Sequence, residues 1–249
     1  MSMDILQIDY TAWSPYNYTL GNPIKYVDPT GMGIPSTHTD EDGNVLAVYD
    51  DDDKGVYKHD IKKEDYKPNP EAEAKGINRL KSEDGEKVGE TQYLDEFVSP
   101  ETGNTMTNIQ IQFDKSFDPI IKRINAKAKG MNLKEIAANS GPKGDFDIKE
   151  KYKNTGALLN GKYATVRSAG NYLAGYNAQG GTLAGVSIPY ITFQKIAGAL
   201  NVTGHLTTAQ KIDIVLNGTS YGPAPTYGEN MYQYRMSKAG WNMSMLNNK

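Results

Sequence analysis

Two side chains in the last hundred residues stand out for the chemistry they could perform, Glu229 and Arg167. Residues 151–249 carry nine Lys/Arg against only two carboxylates, Asp213 and Glu229, a net charge of +7, so any carboxylate base in this stretch is one of those two. In the run Tyr227-Gly-Glu-Asn-Met-Tyr-Gln-Tyr-Arg235, Glu229, Tyr232, Gln233 and Met236 recur at i, i+3, i+4 and i+7. A helix from Tyr227 to about Leu246 would then set a carboxylate, a phenol and an amide side by side near its N-terminus. The same position equally suits a carboxylate that merely complements the helix dipole. Upstream, Thr165-Val-Arg-Ser-Ala-Gly-Asn-Tyr-Leu-Ala-Gly-Tyr-Asn177 puts Arg167 and Asn171 on one helical face and Tyr172 and Tyr176 on another. Gly170 and Gly175 each cost about 1 kcal/mol against alanine inside a helix, so both ask for a close approach by another backbone or a ligand. His205 is the single histidine of the basic part and the one side chain there suited to exchanging a proton near neutral pH.

Metal-free cleavage of RNA needs a base for the 2′-hydroxyl, an acid for the leaving 5′-oxygen and a cation for the phosphorane. Glu229 as base, Arg167 as electrostatic clamp and His205 or a tyrosine as acid fill those roles. Tyr172, Tyr176 and Tyr232 are the candidates for stacking on unpaired bases, with Asn171, Tyr227, Gln233 and Arg235 as further substrate contacts. A net +7 suits a phosphate backbone, and a solvated basic surface would look the same. The leading expectation is that Arg167 and Asn171 face Glu229 across a cleft. Two other classes stay open. A cell-wall hydrolase would need Glu229 and Asp213 about 5–9 Å apart. A non-enzymatic module would bind a membrane or a partner. The sequence offers no cysteine, no H-x-x-H or H-E-x-x-H pair and no G-x-x-x-x-G-K-[ST] loop, which removes thiolate or zinc-finger-like metal sites and nucleotide triphosphate chemistry; neither metal nor cofactor is expected.

The elements that must position these residues divide the 249-residue chain unevenly. Residues 1–150 hold 18 Lys/Arg and 28 Asp/Glu, a net −10 against the +7 that follows. Such asymmetry suggests that only the C-terminal part meets a polyanion. From 114 onward helices dominate: Asp118-Pro119 opens one to Lys129, Leu133–Asn139 a second, 164–177 a third, Ser187 caps one through Leu200, Thr207 or Thr208 starts one to Leu216, and the last begins at Tyr227. The expected fold is therefore a mainly α C-terminal domain of five to six helices, 114–249, after an irregular, partly β N-terminal segment, α+β overall. Residues 34–113 read as an acidic linker with one antiparallel hairpin, Val45–Tyr49 against Gly55–Lys58, and a charged connector from Asp60 to Gly89. His38 and His59 fall in that stretch, where no role is expected. No run of 18 apolar residues and no charged-then-apolar leader occurs, so neither a membrane span nor a signal peptide is expected.

Two stretches resemble known families. Asn22-Pro-Ile-Lys-Tyr-Val-Asp-Pro-Thr-Gly31 closely resembles the end of the Rhs/YD-repeat-associated core, N-P-[IL]-x-[YF]-x-D-P-x-G, making residues 1–33 a remnant of that core's terminus. The resemblance implies a polymorphic toxin, in which an interchangeable effector follows the shell, and it maps the self-cleavage motif onto Asp28, Pro29 and Gly31. Arg167-Ser-Ala-Gly-Asn-Tyr-Leu-Ala-Gly175, then Gly185-Val-Ser-Ile-Pro with Ala197-Gly198, then Tyr227-Gly-Glu-Asn-x-x-Gln233 are similar, in order and spacing, to the bacterial polymorphic toxin type 44 domain. This chain has Leu173 where many members carry histidine, and Glu229 and Gln233 where they carry aspartates. That resemblance implies a ribonuclease used in interbacterial competition, delivered into target cells by a specialised secretion apparatus or an Rhs shell and countered by a cognate immunity protein.

Overall fold

A computed structural model describes residues 34–73, 75–141, 143–183 and 185–247. The self-cleavage motif and the Rhs-like segment lie outside the described residues. Among those described, eight helices and nine strands in three sheets divide between two compact units. The first takes the chain to Ser99 and then Gly103–Ile111; the second takes Pro100–Thr102 and everything from Gln112.

The expectation of an irregular linker followed by a mainly α domain is overturned in both units. In the first, β1 (Pro35–Thr39), β2 (Val45–Asp50), β3 (Gly55–Lys58) and β4 (Glu86–Glu90) form one sheet in the order β2-β1-β3-β4, accompanied by the single-turn helix α1 (Pro70–Glu73). The hairpin forms between β1 and β2, with Ser36 opposite Tyr49 and His38 opposite Ala47. Its turn is set by Asp40, whose carboxylate accepts from the Asp42 and Asn44 amides and from Asn44 Nδ2. β3 then pairs in parallel with β1, so the two strands expected to be partners lie on either side of it. Val45, Val56, Phe97, Ile109 and Ile111 are buried, which gives this acidic stretch a core despite its charge.

A polar string runs through that core. Ser36 Oγ donates to Asp51 Oδ2 at 2.7 Å and lies 2.9 Å from His38 Nε2, while His38 Nδ1 lies 2.8 Å from His59 Nε2. The Tyr49 and Tyr57 rings flank His38 at 5.1 and 5.5 Å. Burial pushes the His38 imidazole down to about 3, helped by His59 and opposed by Asp53. His59 is also lowered by burial, against Asp84.

In the second unit a three-stranded sheet, β5 (Gln110–Ser116, which begins in the first unit), β6 (Thr155–Leu159) and β7 (Lys162–Thr165), shares the core with α2 (Asp118–Ala128), α3 (Leu133–Ser140), α4 (Ile148–Lys151) and α5 (Val166–Gly180). β6 and β7 turn at Asn160-Gly161, both at positive φ, 52° and 82°, the pairing a two-residue hairpin wants. A small hairpin, β8 (Thr182–Leu183) with β9 (Val186–Ser187), leads to α6 (Tyr190–Thr203), α7 (Thr208–Asn217) and α8 (Met231–Asn247). β7 passes into α5 without a loop, because Thr165 ends the strand and also caps the helix by accepting from the Ser168 amide. Phe117, Ile121, Ile124, Phe146, Ile148 and Leu159 pack around Ala169, Tyr172 and Leu173 of α5, which is therefore buried on most of its circumference. On its remaining side it crosses α8 so closely that a Cβ on Gly175 would lie 1.9 Å from the Ser237 carbonyl oxygen, and one on Gly240 1.9 Å from that of Tyr172. The glycine expected to mark a close approach thus marks a backbone-to-backbone helix crossing.

Candidate functional site

Gly170 has a different neighbour. A Cβ there would meet Lys149 Cε at 2.6 Å and Cγ at 2.8 Å, so the lysine stem, launched from the one-turn helix α4, lies across α5 in the space the glycine leaves. Its Nζ donates to Asn171 Oδ1 at 2.6 Å. Asn171 is 7% exposed and its Nδ2 has no hydrogen-bond partner. One turn earlier, the Arg167 guanidinium lies over the Tyr232 ring at 5.6 Å and forks onto the Glu101 carboxylate. The Tyr232 hydroxyl is shared with Thr165 Oγ1, at 3.0 Å, and Ser168 Oγ, which fixes the start of α8 against the start of α5.

Glu229 does not belong to α8. The helix begins at Met231, and Tyr227 and Gly228, at φ 51° and 113°, turn the chain two residues before it can start. Asn230 and Gln233 then cap the helix reciprocally, the Gln233 amide donating to Asn230 Oδ1 at 2.8 Å and the Asn230 amide to Gln233 Oε1 at 3.3 Å. The expected stripe of Glu229, Tyr232, Gln233 and Met236 on one helical face is therefore broken at its first member. The Glu229 carboxylate is held instead from α6. Gln194, 0% exposed, donates from Nε2 to Glu229 Oε2 at 2.5 Å and to the Thr226 carbonyl at 3.2 Å, and its Oε1 accepts from Tyr190 at 2.8 Å and Ser237 at 3.3 Å. Every hydrogen-bonding position of that amide is used, which leaves it one orientation. Gly198 lets the Tyr227 carbonyl come within 2.1 Å of where its Cβ would be, and Asn201 Nδ2 donates to the Gly228 carbonyl at 2.8 Å, so the turn carrying Glu229 is pinned along α6.

The electrostatics tie these pieces together. Burial raises the Glu229 carboxyl above its usual range, opposed by the Gln194 hydrogen bond and by the Lys149 ammonium. Lys149 is exposed along its length, and at its ammonium the pKa is lowered first by burial and then by the Arg167 guanidinium, with Glu229 and Asp147 pulling the other way. Lys149 thus bonds Asn171 and feels the charges of both Arg167 and Glu229.

Of the residues picked out from the sequence, Arg167, Asn171, Tyr232 and Glu229 come to this cluster. Tyr172 is 5% exposed in the core, so its ring offers no face for a base, while Tyr176 is half-buried against that core and its hydroxyl accepts from Asn247 Nδ2 at 3.1 Å. Tyr232 is buried as a structural phenol. Tyr227 lies beneath Lys195 Nζ at 5.4 Å, Gln233 serves the helix cap, and Arg235 is half-buried on α8. His205 is exposed on the turn after α6, beyond the left-handed Gly204 that ends the helix, and has no described contact with Glu229. Asp213 accepts from Asn217 at 2.7 Å, is lowered by hydrogen bonds from Thr219 and Asn217, and has no described contact with Glu229. Lys149 and Gln194 were not singled out from sequence. Gly170 is the signal that points to Lys149, as a helical glycine that a neighbouring stem can fill.

Among the described residues no three His, Cys, Asp or Glu side chains gather to hold a metal ion, and no helix is long and apolar enough to cross a membrane. Compared with models of protein families, with curated proteins and with solved structures, the chain matches none.

Proposed function

We propose that the second unit is the effector of a bacterial polymorphic toxin system and cleaves RNA without a metal ion. The observation that carries the reading is the Lys149 ammonium bonded to Asn171 Oδ1 and subject to the charges of Arg167 and Glu229. In this reaction Glu229 takes the proton of the 2′-hydroxyl, and its raised pKa brings it closer to a working base at neutral pH. The new O–P bond forms as the 5′-oxygen departs. Arg167 and Lys149 bear on the charge gathered by the phosphorane oxygens, with the unpartnered Asn171 Nδ2 behind them. Lys149, with its lowered pKa, returns a proton to the leaving 5′-oxygen, in place of His205, which lies on the turn after α6. The family resemblances support the toxin setting, and with it delivery into a competing cell and a dedicated immunity protein. An acidic inhibitor is the partner a +7 half would attract.

The test uses purified full-length chain with total RNA in the presence of EDTA. Cleavage is expected, and Glu229→Gln or Arg167→Ala should each lower it by roughly 10²–10³-fold while the circular dichroism spectrum is unchanged. An intact RNA pool beside digested peptidoglycan would overturn the reading in favour of wall hydrolysis.

A further inference from the structure

The Arg167 fork is already engaged: Nη1 donates to Glu101 Oε2 at 3.2 Å and Nη2 to Oε1. Two parallel N–H···O bonds to the two oxygens of one acid group is the pattern a guanidinium also makes with a phosphate. Glu101 arrives on a short excursion of the chain. Pro100–Thr102 packs with the second unit while the residues on either side belong to the first, and the excursion is closed at its base by Gly103 donating to the Ser99 carbonyl and Ser99 to that of Asn104, both at 2.8 Å. The Glu101 side chain is 58% exposed against 28% for Arg167, so water reaches the acid side of the pair. Ion pairs of that exposure are weak and screened by salt, and therefore exchangeable. On the same face of α5, one turn on, Asn171 Nδ2 is buried without an acceptor and Asn171 Oδ1 holds the Lys149 ammonium, a second cation that Arg167 repels and that Glu229 and Asp147 offset.

We propose that Glu101 is the internal occupant of a phosphate subsite: its carboxylate sits on Arg167 where a phosphate of a nucleic-acid strand binds, and Pro100–Thr102 must give way for that strand to engage. The inference rests on the ribonuclease reading for the identity of the strand, though not for the anion chemistry. It makes Glu101 a competitor of substrate within the same chain, and it makes the apparent affinity of the site depend on how readily the excursion is displaced.

The experiment is a double-mutant cycle on the full-length chain with a fluorescein-labelled RNA octamer, and inorganic pyrophosphate as competing probe. Glu101→Gln keeps the shape and removes the charge; it is expected to tighten octamer and pyrophosphate binding about two- to five-fold at low salt, and to lower KM by the same factor with kcat unchanged. In an Arg167→Ala background the same substitution should give no gain. Equal or weaker binding by Glu101→Gln, or a gain that persists without Arg167, overturns the proposal. The two readings separate cleanly. Arg167-dependent tightening without RNA cleavage keeps the subsite and sinks the ribonuclease, whereas cleavage with KM unmoved by Glu101→Gln does the reverse.

Discussion

Replacing Gly175 by alanine would put a methyl carbon 1.9 Å from the Ser237 carbonyl oxygen and 2.6 Å from its carbonyl carbon. Both atoms are backbone, inside α8, and cannot swing aside as a side-chain tip would. Ordinary contact begins at 3.4 Å, so the helices must part by about 1.5 Å at the crossing. Parting them pulls on the Tyr232 hydroxyl between Thr165 and Ser168, on Asn247 at Tyr176, and on the Tyr172 carbonyl against Gly240. Overpacking of this kind costs about 1–3 kcal/mol and often more against backbone, while alanine returns about 1 kcal/mol of helix propensity. With the lost interhelical contacts added, the expected net loss is about 2 kcal/mol. Gly180, on the same helix, has nothing within 4 Å of a built Cβ, so Gly180→Ala is expected to be neutral or slightly stabilising. Because the chain divides into two compact units, the assay that reads this one is hydrogen exchange of peptides from α5 and α8, supported by urea titration. A loss of about 2 kcal/mol moves the midpoint of this unit by roughly 1 M. If Gly175→Ala exchanges no faster than Gly180→Ala, the close crossing of α5 and α8 is refuted.

Two further outcomes follow from the charges. His38 is held neutral when folded but takes a proton below 6.5 when unfolded, so the first unit should lose stability as pH falls from about 6.5 toward 3, by roughly 4 kcal/mol at the low end; a His38→Gln variant should show a flatter dependence in acid urea titrations, and an equal slope would refute the buried-pair account. Lys149 lowers the Glu229 pKa, so in Lys149→Met the Glu229 carboxyl followed by NMR should titrate at higher pH than in the parent chain, and an unmoved titration would detach Lys149 from Glu229.

How much of this was legible depended on how local each cause is. α2, α3 and α7 announce themselves through apolar spacing and cap chemistry within a few residues, Thr207 with Gln210 being one such box. Asn160-Gly161 is an equally local hairpin signal, and its flanking Leu158, Leu159 and Tyr163 mark strands that the expectation of a mainly α domain passed over. The first sheet was hidden for a different reason. β1 finds its parallel partner across an intervening strand and β4 lies about thirty residues beyond β3, so charge-rich surface positions dominated the local pattern while the buried ones were paired at a distance. At the site, the scarcity of carboxylates pointed to Glu229, but no periodicity places its turn ahead of α8, because Tyr227 adopts a left-handed φ that a non-glycine residue rarely takes. Lys149 lies 22 positions before Asn171 and reaches it only through the gap at Gly170, a fact of packing rather than of spacing.

The crowding around α5 also limits how such a protein can diversify. Advancing that helix by one residue would turn its faces by about 100°, carrying Arg167 and Asn171 away from Lys149 and driving side chains into the α8 backbone, so its rotation is not a variable that selection can adjust. Novelty in what the site accepts has to enter through the parts that only touch α5 at their tips: the Thr226–Asn230 turn, the single turn of α4, and the Pro100–Thr102 excursion. A new specificity could then be grafted by exchanging three short segments while one helix stays fixed.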